Sequence, residues 1–213
     1  MDKKVIFAVA GAGKTTRIIS ELTLEQRALI VTYTTTNLNN LKVAICRKWG
    51  YLPENITVMS YFSFLYGFCF KPFLARTTKA KGINWETKKL PIATGDKRYF
   101  DRHKRLYHAR LAKYLEVSAV QPDIIARIEK YFDKLFIDEV QDSVGHDFNL
   151  LKAILAANIN MLLVGDFYQH TFDTSRDGSV NRSLHENYQK YHRTFQQMGL
   201  AVDSTSLLKS YRC

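Results

Sequence analysis

The eight residues Ala8-Val9-Ala10-Gly11-Ala12-Gly13-Lys14-Thr15 constrain this chain more than any other stretch. Just upstream, Lys4-Val5-Ile6-Phe7-Ala8-Val9 is a mostly apolar run of strand length, as expected for a strand buried on both faces of a parallel sheet. Just downstream, a helix is expected from about Lys14 to Leu24. A small-residue turn between buried strand and helix, closed by Lys-Thr, has the form of a phosphate loop. In such a loop successive backbone N–H groups turn inward around phosphate oxygens, at the positive end of the following helix. The stretch departs from Gly-x-x-x-x-Gly-Lys-Thr only in its first position, Ala8. Ala10, Gly11, Ala12, Gly13, Lys14, Thr15 and Thr16 are therefore the candidate nucleotide-binding residues. Lys14 is expected to reach the β- and γ-phosphates and Thr15 to ligate Mg2+.

The pattern then repeats. A second buried-strand run spans Ala28 to Tyr33, and a helix is expected from about Asn37 to Trp49. A short strand near Ile56 to Met59 leads into an aromatic-rich helix from Ser60 to about Phe70. This β-α-β-α-β-α order predicts an α/β fold, a parallel sheet flanked by helices and joined by right-handed crossovers. An interruption follows, with Pro72, Gly82, Pro91 and Gly95 scattered ahead of a predicted helix from about Tyr99 to Leu115. We read 71–118 as a small, basic, mainly helical insertion. The parallel-sheet grammar resumes with a helix over Pro122 to Phe132, a strand over Lys134 to Asp138 and a helix over Phe148 to Ala157. A strand over Met161 to Gly165 and a polar helix from about Leu184 to Met198 complete it.

The net charge of +11 is concentrated in that insertion. Between Lys71 and Lys113, 13 Lys/Arg stand against 3 acids, Glu86, Asp96 and Asp101, and the rest of the chain is nearly neutral. Lys/Arg clusters displace counterions from phosphate backbones, so a polyanion is the expected partner, against the plainer reading of a solvated face. Lys88, Lys89, Arg102 and Arg105 are the candidate contacts. Hydrophobic residues at 46% and charged ones at 24% suit a globular chain. The longest apolar run, around Tyr61 to Phe70, is far short of the ~20 residues of a membrane span, so no membrane partner is expected. The start shows no secretory signal, and a cytoplasmic protein is expected. Cys46, Cys69 and Cys213 lack metal-site spacing and read as reduced structural thiols.

Asp138-Glu139 closes the fourth strand, where a nucleotide-hydrolysing phosphate-loop fold places its metal carboxylate. Asp138 would hold Mg2+ through water, and Glu139 would accept the proton of the attacking water. With these neighbours in place a family resemblance becomes specific. Asp138-Glu139-Val140-Gln141-Asp142 resembles the Asp-Glu-x-Gln-Asp segment of UvrD/Rep/PcrA-like superfamily 1 DNA helicases. Val164-Gly165-Asp166-Phe167-Tyr168-Gln169 resembles their Val-Gly-Asp-x-x-Gln, and Leu207-Leu208-Lys209-Ser210-Tyr211-Arg212-Cys213 their Leu-x-x-Asn-Tyr-Arg-Ser. Val31-Thr32-Tyr33-Thr34 is similar to a segment those helicases use on single-stranded DNA, and Ser60-Tyr61-Phe62-Ser63 echoes their Thr-Phe-His-Ser.

The resemblance implies a RecA-like ATP-binding motor domain with ATP and Mg2+ as ligands. It implies that Gln169 senses the γ-phosphate, that Arg212 also contacts it, and that Tyr211 stacks on the nucleotide base. Tyr33 and Phe172 fall where the family sets rings against DNA bases, with Thr34 and Ser63 beside them. The departures are Thr174 for a DNA-stacking Trp, Phe62 for a His and Thr35 for an Asn. The domain plan expected is a RecA-like first part (1–70), the inserted subdomain (71–118), a RecA-like second part (119–206) and, at 207–213, the start of a link to a second RecA-like domain in the same or another chain. The function implied is an ATP-driven translocase on single-stranded DNA, 3′ to 5′; the family's insertion at this point contacts duplex DNA, and this short one is expected to contact only the DNA backbone. The alternative is a nucleotide-gated DNA-binding subunit of a repair or phage-defence complex, with a nuclease or other catalyst on a partner chain. A small-molecule kinase would explain the loop, but neither Gly165 to Gln169 nor Tyr211-Arg212.

Overall fold

Side chains in a strand alternate between faces, and here the alternation sorts the core into two layers. A computed structural model describes residues 1–86, 94–169 and 180–207. Val5, Phe7, Leu29, Val31, Leu135, Ile137, Met161 and Leu163 join one buried cluster; Ile6, Ala28, Ile30, Phe136, Leu162 and Val164 join the other. Both faces of one sheet are thus covered, which is why its strands read as unbroken apolar runs.

That sheet holds β1 (Lys3–Phe7), β2 (Ala28–Thr32), β3 (Ile56–Ser60), β6 (Lys134–Asp138), β7 (Asn160–Gly165) and β8 (Ala201–Asp203), in the order β3-β2-β6-β7-β1-β8. All of its pairings are parallel. Helices α1 (Lys14–Ser20) and α2 (Thr35–Trp49) cover one face through Ile18, Leu41 and Ile45. On the opposite face lie α3 (Tyr61–Ser63), α7 (Gln121–Tyr131), α8 (Gly145–Ile154) and α9 (Tyr188–Gln197). The predicted α/β fold is therefore the observed one. β8 was not foreseen, because three residues give too short an alternation to be seen.

Two local expectations are corrected. The aromatic run after α3 is a π-helix over Phe64–Phe70, in which Phe64 stacks on Phe68 and Tyr66 on Phe70, before α4 (Lys71–Thr78) resumes α geometry. The single helix expected over Tyr99 to Leu115 is instead the end of α5 (Asp96–Tyr99), β5 (Arg105–Tyr107), a 3-10 turn and α6 (Leu111–Val117). Asp101 is the cause. One oxygen of its carboxylate accepts from the backbone N–H groups of His103 and Arg105, both at 2.9 Å; the other accepts from the Arg105 guanidinium at 2.8 Å. Side-chain capping of this kind outcompetes the helical ladder. The freed segment pairs in parallel with β4 (Gly82–Asn84), so the basic stretch carries a short two-stranded ladder beside its helices. Its buried residues Phe100, Leu106, Leu111 and Leu115 belong to the cluster that also holds residues of β1, β2, β6 and β7. Among the described residues no helix is long and apolar enough to cross a membrane.

Candidate active site

Parallel strands end on the same edge of a sheet, so whatever follows β1, β6 and β7 must meet there. β7 lies between the other two, placing the ends of β1 and β6 about 10 Å apart. The loop after β1 crosses this gap. Gly11 and Gly13 adopt left-handed backbone, φ 72° and 88°, at little steric cost. Gly13 then caps α1, whose first residue is Lys14. The Lys14 ammonium lies 3.1 Å from the Glu139 carboxylate, with both side chains at least four-fifths buried. Glu139 is itself left-handed, φ 57°, a strained conformation that turns the chain straight off the strand end.

One cavity of ≈ 770 Å³ joins these groups. Its lining includes Ala10, Gly11, Ala12, Gly13, Lys14, Thr15 and Thr16, together with Glu139 and Gln169. Every candidate nucleotide-binding residue of the loop is thus gathered around one space with two of the candidate catalytic groups. Arg17, Asn37, Asn40 and Leu207 also line it and were not foreseen. The asparagines come from α2, and only the packing of α2 beside α1 brings them in.

Asp138 lies beneath, 2% exposed. One carboxylate oxygen takes the Thr32 hydroxyl at 3.3 Å, while the other is buried with no hydrogen-bond partner. Burial and, next, the charge of Glu139 push the Asp138 carboxyl up to about 7, against the pull of Lys14 and Thr32. A buried carboxylate oxygen left without a donor suits a hard cation, so this residue fits the metal role expected of it. Among the described residues no cluster of three His, Cys, Asp or Glu offers a closed metal cage.

Gln141, noted in the sequence only as part of a motif, bridges two strand ends. Its amide N–H donates to Glu139 at 2.8 Å, and its carbonyl accepts from the Asp166 backbone N–H at 3.0 Å. The tail is also tied in. Asp203, the last residue of β8, pairs with Lys4 at 2.9 Å and accepts from Thr205 and Ser206; Leu207 then accepts from Val9 of the loop at 3.2 Å.

The candidate strand-binding residues lie beside this edge. Tyr33 is half-buried with one ring face on Tyr61, and its hydroxyl end is enclosed: burial, then the charge of Asp147, push its pKa well up. Thr34 spends its hydroxyl capping α2, accepting from Asn37 at 3.1 Å, and Ser63 is exposed. Arg102 is exposed, whereas Arg105 is engaged by Asp101. Lys88, Lys89, Phe172, Tyr211 and Arg212 fall outside the described residues.

Residues 92–174 match the UvrD/REP helicase N-terminal domain family model. No curated protein matches the chain. Among solved structures it is similar to a Bacteroides sp Pif1 in complex with ADP-AlF4, at 16% identity and TM-score 0.41, covering 100% of this chain and 39% of that one. It is also similar to a Pif1 structure concerned with DNA unwinding at forked dsDNA by two coordinating helicases, at 15% identity and TM-score 0.40, covering 99% and 40%. The chain thus spans about 40% of the length of those solved chains. Residues 92–174, the stretch that matches the UvrD/REP helicase N-terminal domain, hold both the acidic strand end and the Val-Gly-Asp-x-x-Gln segment.

Proposed function

We propose that this chain is the nucleotide-hydrolysing half of a motor that moves along single-stranded DNA, 3′ to 5′ as the UvrD-like motifs imply. The observation that carries the reading is the meeting of Lys14 and Glu139, from strand ends two positions apart, across one cavity that also takes in Gln169. In this reading Lys14 exchanges its contact with Glu139 for the β- and γ-phosphates of ATP. Glu139, released but still held by Gln141, orients and deprotonates the attacking water. Gln169, on the turn after β7, senses the γ-phosphate. Thr15 and Asp138 would hold Mg2+, which when bound neutralises charge on the transferring phosphoryl group. Tyr211 is proposed to stack on the nucleotide base and Arg212 to contact the γ-phosphate. A second RecA-like domain, in the same or another chain, supplies a further arginine, an effect worth ~10³–10⁵ in rate. On this account the 213 residues bind nucleotide but turn it over slowly.

The test is binding of a fluorescent ATP analogue to the 213-residue chain, and DNA-stimulated hydrolysis by the parent protein, each with Lys14→Ala and Glu139→Gln. Lys14→Ala should abolish both; Glu139→Gln should retain binding and lose hydrolysis by about 10²-fold or more. Unchanged binding and hydrolysis in both variants would remove the assigned chemistry.

A further inference from the structure

Five rings form a row leading away from the ends of β2 and β3. The Thr32–Ser60 register makes Tyr33 and Tyr61 neighbours, and their rings stack with centroids 4.6 Å apart. Tyr61 meets Phe62 at 6.1 Å, Phe62 meets Trp85 edge-on at 4.9 Å, and Trp85 stacks on His108 at 5.5 Å with 27° between planes. Tyr61 is buried and Tyr33, Phe62 and His108 are half-buried, whereas Trp85 is 56% exposed.

Trp85 is not a loose surface ring. Asn84, just before it, donates to Asp101 at 3.0 Å and accepts the Glu86 N–H at 2.8 Å; its backbone oxygen lies 3.1 Å from Nδ1 of His108. The backbone on either side of Trp85 is therefore clamped, and the imidazole behind it is oriented. Leaving over half of a tryptophan in water forgoes hydrophobic stabilisation, whereas a preorganised aromatic face in a basic segment suits a flat apolar group on a polyanion. Trp85 belongs to such a segment: from Lys71 to Lys113 the sequence has 13 Lys/Arg against 3 acids. A duplex hides its base faces; a single strand offers them.

We infer that Trp85, backed by His108 and Phe62, is a stacking platform for an unpaired nucleotide base, carrying the strand path from β2 and β3 onto the basic insertion. This rests on the reading that the chain binds single-stranded DNA, and it assigns a residue that no motif marks.

The test uses the full chain with Trp49→Phe, so that Trp85 is the sole tryptophan reporter. An oligo-dT strand should quench its fluorescence on binding, and an abasic strand of equal length and charge should bind without quenching. Trp85→Ala should weaken oligo-dT binding about 5- to 150-fold, the range for one base–aromatic stack, with an unchanged dependence on salt and unchanged binding of a fluorescent ATP analogue. Trp85→Phe should recover most of the loss. Equal quenching by the abasic strand, or oligo-dT binding without quenching and within twofold after Trp85→Ala, overturns the inference while leaving the strand-binding reading intact. Absence of oligo-dT binding at any salt would instead remove that reading, and the inference with it. Failure of Lys14→Ala to alter nucleotide binding bears on neither.

Discussion

Gly165→Ala is a substitution of one methyl group with a cost that can be worked from the structure. A Cβ at Gly165 would lie 2.6 Å from the Gln141 side-chain oxygen and 2.8 Å from Cγ1 of Val140, where ordinary contact begins at 3.4 Å. About 0.8 Å and 0.6 Å must be yielded, in surroundings where Val140 is 0% and Gln141 2% exposed. Val140 is stiff about its Cα–Cβ bond, so Gln141 moves first. Its movement frees Glu139 and strips the Asp166 N–H of its acceptor. Overpacking costs about 1–3 kcal/mol and a stranded buried N–H a similar amount, so we expect a loss near 3 kcal/mol. That corresponds to a fall in Tm of roughly 6–12 °C for a chain of this size. Urea unfolding of the variant, the parent chain and a Val140→Ala/Gly165→Ala pair measures it. The pair should lose less than the sum of its parts, since shortening Val140 removes one of the two collisions. Stability within about 0.5 kcal/mol of the parent, or strict additivity in the pair, refutes the steric argument.

Three further outcomes follow from the same geometry. Gln141→Leu should slow DNA-stimulated hydrolysis by the parent protein about tenfold or more while leaving nucleotide affinity within about twofold, because it loosens Glu139 without touching the phosphate loop; affinity and rate falling together would argue against a positioning role. Burial opposes ionisation of Asp203, but the Ser206 hydroxyl, the Thr205 amide and Lys4 outweigh it and hold the carboxyl well below the usual range. The stability this supplies is present above the unfolded value of about 3.9 and is lost as pH falls below it, so Asp203→Asn should flatten acid destabilisation measured by thermal melts between about pH 5 and pH 2. Neutralising Lys88, Lys89, Arg102 and Arg105 together should reduce the slope of log affinity against log salt on single-stranded DNA by about 2. That is three contacts' worth, because Arg105 is already committed to Asp101; an unaltered slope would return the segment to an ordinary solvated face.

The phosphate loop and the strand-end acids were legible because their chemistry is local. Gly11 and Gly13 are needed by a left-handed turn, and Lys14 and Thr15 follow at fixed spacing. The parallel sheet was legible because β1, β2, β6 and β7 bury both faces and so carry unbroken apolar runs. The helix expected over Tyr99 to Leu115 failed for the opposite reason. Its apolar spacing suited a helix, but Asp101 captured the backbone N–H groups of His103 and Arg105, and β4 offered the freed strand a partner. Hydrophobic periodicity cannot anticipate that a side-chain cap wins over the helical ladder when the strand that rewards it lies 23 residues away, as Gly82 does from Arg105.

By itself, then, the sequence determined that a glycine turn of phosphate-loop form opens a parallel α/β sheet and that two carboxylates end a later strand. Tertiary structure alone decided that β7 separates those strand ends by a single position, that Gln141 ties Glu139 to the backbone after β7, and that Asn37 and Asn40 reach the same cavity. It also decided that Trp85 and His108 close a row of rings beginning at Tyr33. The division has one physical cause. Turn conformations and side-face alternation are written in neighbouring residues, whereas strand order and helix packing join residues distant in the chain, and no local pattern encodes those contacts.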